Sequence, residues 1–432
     1  AILSWLIKEK NGQLTDLVVK DSIPVMENFS NEVYDVVSRS NNKVIFEHVF
    51  ANKCKIIKTY NFSNSYMHNL NFSIERPANA HFKEISFKWG PGIGIDTKDI
   101  KENNATTKIS AYNALAIKNK LEKLKNVSKS TALYKWVAID NKYFLAAFIP
   151  ANFSDFDKIT SFRISKKHPY CLSFTAIIPK NVDKKDYSID FYLGPKNYKH
   201  LQTYSLGLEK TIDFGFFGFL GKIAFIVLTF FYRITNNYGW AIIMLTTAIQ
   251  ILVLPLTLKS FKSAESMKNI QPMINDIQVK YKDDPRRLQM EILNLYRKKK
   301  VNPLGGCLPM ILQLPIFWAF FTMLRNVYEL RNEKWIFWIK DLSVADNFMN
   351  IGSFSFNLLP LIMAITMFFQ QKTMATNSSD KTQKKMVYIM PIVFMFMFWS
   401  FPAGLIMYWI TSSIISIIEQ YFVMKNNACE HM

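Results

Sequence analysis

The sequence predicts an all-β domain followed by an α-helical polytopic membrane bundle with five core spans, and three observations in its 432 residues carry that prediction. Half of the residues are hydrophobic and they crowd into the second half of the chain, so two or more domains of different character are expected. Short alternating apolar and polar runs recur from about residue 10 to 205. Beyond them, an uncharged apolar run at Tyr238–Leu258 and another opened by Asn302-Pro303-Leu304-Gly305-Gly306-Cys307 flank a strongly basic stretch of about forty residues. That alternation belongs to a bilayer with a large loop on one side.

The first half reads as a β-sandwich. Lys43–Phe50, Thr131–Ala138 and Tyr143–Ile149 have strand character and are separated by Asn, Ser, Gly and Pro clusters. Trp89-Gly90-Pro91-Gly92-Ile93-Gly94 superficially resembles a phosphate loop but lacks the Lys-Ser/Thr ending and the strand-to-helix setting, so it reads as a turn cluster. Cys54, Cys171, Cys307 and Cys429 show no C-x-x-C spacing, which points away from zinc and dithiol chemistry. Cys54 and Cys171 are either a disulfide of an exported domain or two small buried hydrophobes. His48, His68, His81, His168 and His200 fall in this domain and His431 in the tail, with no nucleophile–base pair, carboxylate dyad or metal-ligand cluster. No enzymatic role, cofactor or metal is predicted. Abundant Lys, Asn and Ile suggest an AT-rich bacterial genome, so the Asn-x-Ser/Thr triplets at Asn28 and Asn71 read as compositional accidents. The apolar run Ala1–Ile7 reads as the stub of a signal or anchor segment.

Thr211–Thr235 is rich in Phe and Ile but carries Asp213, Lys222 and Arg233, so it spans the membrane or lies flat on it. Tyr238–Leu258 is about as long as the roughly 20 residues a helix needs to cross hydrocarbon. Between this span and the next, Lys259, Lys262, Lys268, Lys280, Lys282, Arg286, Arg287, Arg297, Lys298, Lys299 and Lys300 face only five acids, which marks a cytoplasmic loop. Further spans are expected at 303–324, 354–371, 386–401 and 404–424. Lys372, Lys381, Lys384, Lys385 and Lys425 mark the cytoplasm again, which puts Tyr238 outside. The β-domain is then exported only if Thr211–Thr235 lies along the outer interface, and an anchor before Ala1 would make six spans. The expected division is 1–208 for the β-domain, 209–236 for an interfacial helix, 237–425 for the core with a helical hairpin at 260–300, and 426–432 for a cytoplasmic tail.

In the hairpin, Met267, Ile270, Ile274, Ile277 and Tyr281 follow helical spacing, as do Leu288, Ile292 and Leu295. Asp284 is suited to cap the second arm and Pro285 to open it, while Pro272 is expected to interrupt or restart the first. The formal charge of +20 favours an anionic partner, which the phospholipid surface satisfies first, and no DNA partner is expected.

Polar side chains inside the spans are the candidate site. Thr246, Thr247 and Gln250 share one face of the first span, Gln313 lies near the middle of the second, and Thr366 and Gln370 form an i, i+4 pair on the third. Trp409, Ser412, Ser413, Ser416 and Gln420 form a stripe on the last. Singly, such groups are interhelical glue; together they exceed what five helices need, and a wet groove would satisfy them all. Prolines at 255, 309, 315, 360, 391 and 402, and a fourth span of only about 15 residues, imply local thinning. A polar groove under thinned lipid lowers the barrier for carrying a hydrophilic segment partway across. The rival class is a transporter or channel, but no carboxylate sits near a midplane, Glu419 lies close to a helix end, and no repeat relates the spans.

These residues resemble the YidC/Oxa/Alb family of membrane protein insertases in its Gram-negative form. The likeness is most specific in Asn302-Pro303-Leu304-Gly305-Gly306-Cys307-Leu308-Pro309 followed by Gln313-Leu314-Pro315-Ile316-Phe317. Pro255-Leu256-Thr257, Gln271-Pro272, Phe401-Pro402-Ala403-Gly404-Leu405 and Phe191-Tyr192-Leu193-Gly194-Pro195-Lys196 support it. The resemblance implies a periplasmic β-supersandwich, an amphipathic interfacial helix at about 211–235, and a groove open to lipid and cytoplasm in a bacterial inner-membrane protein. It implies nascent membrane proteins as substrates, work alone or beside the Sec translocon, and contact with the ribosome or the signal recognition particle receptor through the hairpin. It places Thr246 and Trp409 where the substrate helix is touched, Trp409 replacing a common Tyr. A sugar-epimerising role, which the family's sandwich also brings to mind, lacks its His–carboxylate pair. One departure stands out: Gln250 occupies the place of the usual groove Arg. Loss of that cation removes up to about 4 kcal/mol of unscreened attraction at an effective dielectric near 20, so hydration and thinning are expected to do the work.

Overall fold

The computed structural model describes residues 16–430 apart from short stretches, the longest being 94–104, 114–120, 164–169, 302–307 and 375–380. The chain divides into two compact units, residues 1–212 and 213–432.

In the first unit, strands pair antiparallel into a six-stranded and a nine-stranded sheet. Strand Lys184–Pro195 lies inside the nine-stranded sheet, between Met67–Glu75 and Phe144–Pro150. Met67–Glu75 shows why the pattern folds this way: His68, Leu70, Phe72 and Ile74 alternate inward, and Phe72 stacks on Tyr187 with ring centroids 4.7 Å apart. Ile159 and Leu172 of the six-stranded sheet share one core with Ile56, Ile109, Val137 and Ile189 of the nine-stranded sheet. Each such buried side chain contributes about 1.5–3 kcal/mol. Cys54 is buried in this core, whereas the side chain of Cys171 and most of the turn cluster at 89–94 lie outside the described residues.

The Phe191–Lys196 motif has a physical reason at each step. Tyr192 donates its hydroxyl to the Pro195 carbonyl at 2.6 Å. The Tyr66 ring lies so close to Gly194 that a Cβ there would sit 2.6 Å from it. Lys196 is buried with its Nζ on the Asp140 carboxylate, and it donates further to the carbonyls of Asn141 at 2.8 Å and Thr211 at 3.3 Å. Ser110 donates to the other Asp140 oxygen at 3.0 Å. The buried charge pair therefore ties the sheet to the last residues of this unit, beyond the short helix α1, Tyr198–Thr203.

The second unit is helical: α2 spans Gly218–Thr235, α3 Tyr238–Lys280, α4 Pro285–Lys299, α5 Leu308–Asn326, α6 Leu359–Met374, α7 Lys381–Met397 and α8 Ala403–Glu430. Helix α2 packs Gly221, Ala224, Phe225 and Leu228 inward and exposes Phe219, Ile223, Ile226, Phe230 and Ile234 along one face. Among the described residues, stretches in α2, α3 and α8 are long and apolar enough to cross a membrane.

Three expectations are corrected. Pro272 does not interrupt the first hairpin arm, because α3 runs unbroken through Pro255 and Pro272 for 43 residues, with Ile270 and Ile274 buried on either side of the second proline. A proline deletes one backbone bond and kinks a helix, but packing on both sides carries the helix through. At roughly 64 Å, α3 is about twice the ~30 Å hydrocarbon core, so span and first arm are one rod. The span expected to begin at 354 starts later, since Phe354–Phe356 pairs as a strand with Met349–Ile351. The Asp346 carboxylate then accepts the amides of Leu358 and Leu359, at 2.9 and 3.2 Å, where α6 starts. The span expected at 386–401 ends sooner, α7 stopping at Met397. Pro402 then opens α8, whose first amides, of Ala403 and Gly404, donate to the carbonyls of Val344 and Leu342 at 2.7 and 3.0 Å. The second arm follows its signals: Asp284 accepts the Arg287 amide at 3.1 Å and Pro285 takes the first helical position.

Lys196→Met should make the β-unit unfold about 3 kcal/mol more easily, because it leaves the buried Asp140 carboxylate only the Ser110 hydroxyl and the more distant Lys108 Nζ, at 3.7 Å; adding Asp140→Leu should restore most of the loss, read by hydrogen exchange along Lys184–Pro195 in the full chain. His68 gives a pH signature. Its Nδ1 accepts the Ser63 amide at 3.2 Å and burial holds its pKa below the ordinary 6.5, so the folded state keeps it neutral. The unfolded chain then binds the extra proton, and stability should be full above about 6.5 and fall as pH drops below it. His68→Gln should flatten that fall in the same exchange measurement.

Candidate functional site

Helices α3, α5 and α8 bring four polar side chains together inside the helical unit. Gln250 of α3 donates its amide to the Ser412 hydroxyl of α8. Gln313 of α5 donates to the same oxygen at 3.2 Å and to the Tyr408 hydroxyl at 3.0 Å. Ser412 Oγ thus uses both lone pairs on two amides from two different helices. Tyr408 is one helical turn before Ser412 and stacks on Phe320 at 4.7 Å, which holds its hydroxyl in place.

Gln250 is buried, while Gln313 and Ser412 are half-buried. Among the described residues, neither glutamine's amide oxygen accepts a protein hydrogen bond, so the cluster keeps two strong acceptors in hand. Gln250 follows Tyr238 by 12 residues, roughly 18 Å of helix rise, which is near the middle of a length equal to a ~30 Å hydrocarbon core.

The remaining candidates sit elsewhere. Thr246, Thr247 and Thr366 each return their hydroxyl to a carbonyl of their own helix, those of Ile242, Ile243 and Met363, at 2.7, 2.9 and 2.8 Å. Trp409 packs into an aromatic cluster with Phe317, Phe398 and Phe394, centroids 5.2, 5.4 and 5.7 Å away. Ser413 is buried, Ser416 half-buried, and Gln370 half-buried on α6. Thus Gln250, Gln313 and Ser412 converge, whereas Thr246, Thr247, Thr366 and Trp409 make their contacts outside the cluster. Tyr408 was not singled out from the sequence; its signal is the four-residue spacing to Ser412.

An all-β unit joined to apolar helices that enclose hydrogen-bonded amides defines a polytopic membrane protein with an appended β-domain. Residues 14–227 match the family model described as YidC periplasmic domain, and residues 230–430 match the one described as 60Kd inner membrane protein. A membrane protein insertase YidC of Endomicrobium trichonymphae is 64% identical over 427 residues, 99% of this chain and 82% of that protein. Another, of Syntrophus aciditrophicus (strain SB), is 36% identical over 400 residues, 90% of this chain and 71% of that one. A solved structure described as an active YidC insertase with the first transmembrane domain resolved covers 94% of this chain and 83% of its own, at 19% identity and a TM-score of 0.44. The chain belongs to the YidC family of membrane protein insertases.

Ser412→Ala removes the oxygen that both amides use, so it should destabilise the helical unit by roughly 1–4 kcal/mol, from two bonds of about 0.6–2 kcal/mol each. Thr366→Val, whose bond stays within α6, should change stability by under about 0.5 kcal/mol in the same detergent unfolding series.

Proposed function

We propose that this chain inserts newly made membrane proteins by sheltering a polar stretch of the incoming chain at the Gln250–Gln313–Ser412–Tyr408 cluster while the adjoining apolar segment partitions into lipid. The observation that carries this reading is the pair of unused amide oxygens beside a hydrogen-bonded core shared by three helices. Backbone N–H groups of a passing segment need acceptors in hydrocarbon, and these oxygens supply them. Gln250 is the more buried of the two glutamines, so water or substrate enters from the side of half-buried Gln313 and Ser412.

Thinning supports the same reading. Helix α7 has 17 residues, roughly 26 Å of rise, and its described apolar part is only Tyr388–Met397. A bilayer that meets so short a crossing thins locally, which shortens the polar segment's path. The exposed apolar face of α2 suits it to lie along the outer interface, so that the β-unit is periplasmic and α3 begins outside. The protein then sits in the bacterial inner membrane with its C-terminus in the cytoplasm. The hairpin arm α4 buries no residue and ends in Arg297, Lys298 and Lys299, which suits it to anionic partners: lipid headgroups, or the RNA of a ribosome or signal recognition pathway. Work beside the Sec translocon belongs to the same proposal.

Gln250→Leu combined with Gln313→Leu should lower insertion of a test protein with a polar tail about tenfold, equivalent to about 1.4 kcal/mol of lost shelter, in proteoliposomes. Gln250→Arg should leave insertion of acidic-tailed substrates within about twofold, because shelter here rests on hydration rather than Coulombic pull. A several-fold gain in the arginine variant would show that charge was the missing element.

A further inference from the structure

We infer that the turn Lys334-Trp335-Ile336-Phe337-Trp338-Ile339-Lys340, between α5 and α6, is a second interfacial anchor, placing the Phe337 ring among the outer-leaflet lipid headgroups with Lys334 and Lys340 at the phosphates. The turn is rigidly built. Trp335 donates its amide to the Ile339 carbonyl at 3.0 Å, and Leu342 donates to that of Glu333 at 3.1 Å. Ile339 is 2% exposed. Trp335 lies over Gly239, where a Cβ would fall 2.1 Å from its ring, and its ring is 5.8 Å from that of Trp240. Trp338 donates its indole N–H to Asp346 at 2.9 Å, the same oxygen that accepts the first amides of α6.

With those side chains committed to the fold, the apex is left to Ile336 and Phe337. Phe337 is 87% exposed and has φ of +58°, in the left-handed region that a bulky aromatic residue avoids. A turn facing only water would carry glycine or asparagine there. An aromatic ring held outward against backbone preference is explained by a medium that rewards it.

The fold also fixes the depth of the apex. Asn237 caps α3 by accepting the amides of Gly239 and Trp240, and the same side chain donates to the Lys334 carbonyl at 3.1 Å. The apolar span of α3 starts at the next residue, Tyr238. The turn is therefore tied to the level at which hydrocarbon begins, where aromatic rings and lysines are favoured. Two exposed side chains are far less than the ~800 Å² per partner of a stable protein interface, so lipid is the occupant. This inference rests on the topology proposed above, in which α3 begins outside.

The test uses the full chain with its native cysteines replaced and Phe337→Cys carrying an NBD fluorophore, in vesicles of phosphatidylcholine or of equal parts phosphatidylcholine and phosphatidylglycerol. Nitroxide lipids labelled near the headgroup should quench the probe more than lipids labelled at the tail end. Aqueous iodide should quench it less than a probe at Asn332→Cys. Lys334→Gln with Lys340→Gln should weaken lipid quenching in the anionic vesicles only. Iodide quenching equal to that at position 332 with no response to nitroxide lipids would overturn the inference, as would strongest quenching from the tail end. Phe337→Gly should keep the Trp335 and Ile339 amides protected from exchange, so loss of the ring is separable from loss of the fold. No substrate is present, so an inactive groove leaves the readout unchanged, whereas quenching solely from lipids labelled in the opposite leaflet would place the fault in the topology.

Discussion

A polar side chain within apolar helices has to be answered by another polar group, and in this protein three helices answer one another at a single oxygen, Ser412 Oγ. That constraint ties α3 and α5 to α8 where helix packing alone would leave them free to slide. It also leaves the glutamine carbonyls over, since Gln250 spends its amide N–H on the shared hydroxyl and Gln313 on that hydroxyl and Tyr408. Stability and readiness to accept a guest chain thus come from the two ends of the same functional group. Charged residues would bind more strongly but would have to be desolvated, whereas an amide exchanges partners cheaply.

A comparable economy organises the β-unit. Lys196 would be intolerable in the sheet interior were it not for Asp140 and two carbonyls, one of which belongs to Thr211 at the end of the unit. The motif that ends the sheet is therefore also the clamp on the segment leading out of it. Polar groups in both units are retained where they fix a connection that apolar packing leaves loose, which is where specificity rather than net stability is gained.

Much of this was legible beforehand, and the misses have physical causes. Alternation exposed strands such as Lys43–Val49, because a half-buried sheet imposes a two-residue period. The Asp284-Pro285 start of α4 was readable because capping is local chemistry. Pro272 misled because its effect depends on Ile270 and Ile274 packing around it, which is tertiary information. The start of α6 misled because apolar strand Phe354–Phe356 and an apolar helix look alike over three residues. Within the site, Gln250, Gln313 and Ser412 stood out as polar groups in apolar runs. That all three threonines would turn back on their own helices was not encoded in spacing, since a Thr hydroxyl reaches its i−3 or i−4 carbonyl whichever way its face points. Tyr408 passed unnoticed because an aromatic ring near a helix start reads as packing.

The central claim is that water reaches this cluster. Its most direct test is thiol labelling of Gln313→Cys in proteoliposomes of the otherwise cysteine-free chain, using a membrane-impermeant maleimide added on the hairpin side. Leu314→Cys, at an exposed apolar position one residue along α5, serves as the lipid-facing control, and Met290→Cys on α4 as the aqueous one. The account predicts that position 313 reacts at a rate close to that of position 290 while position 314 stays inert. Equal inertness at 313 and 314 would mean a dry, sealed bundle and would contradict it.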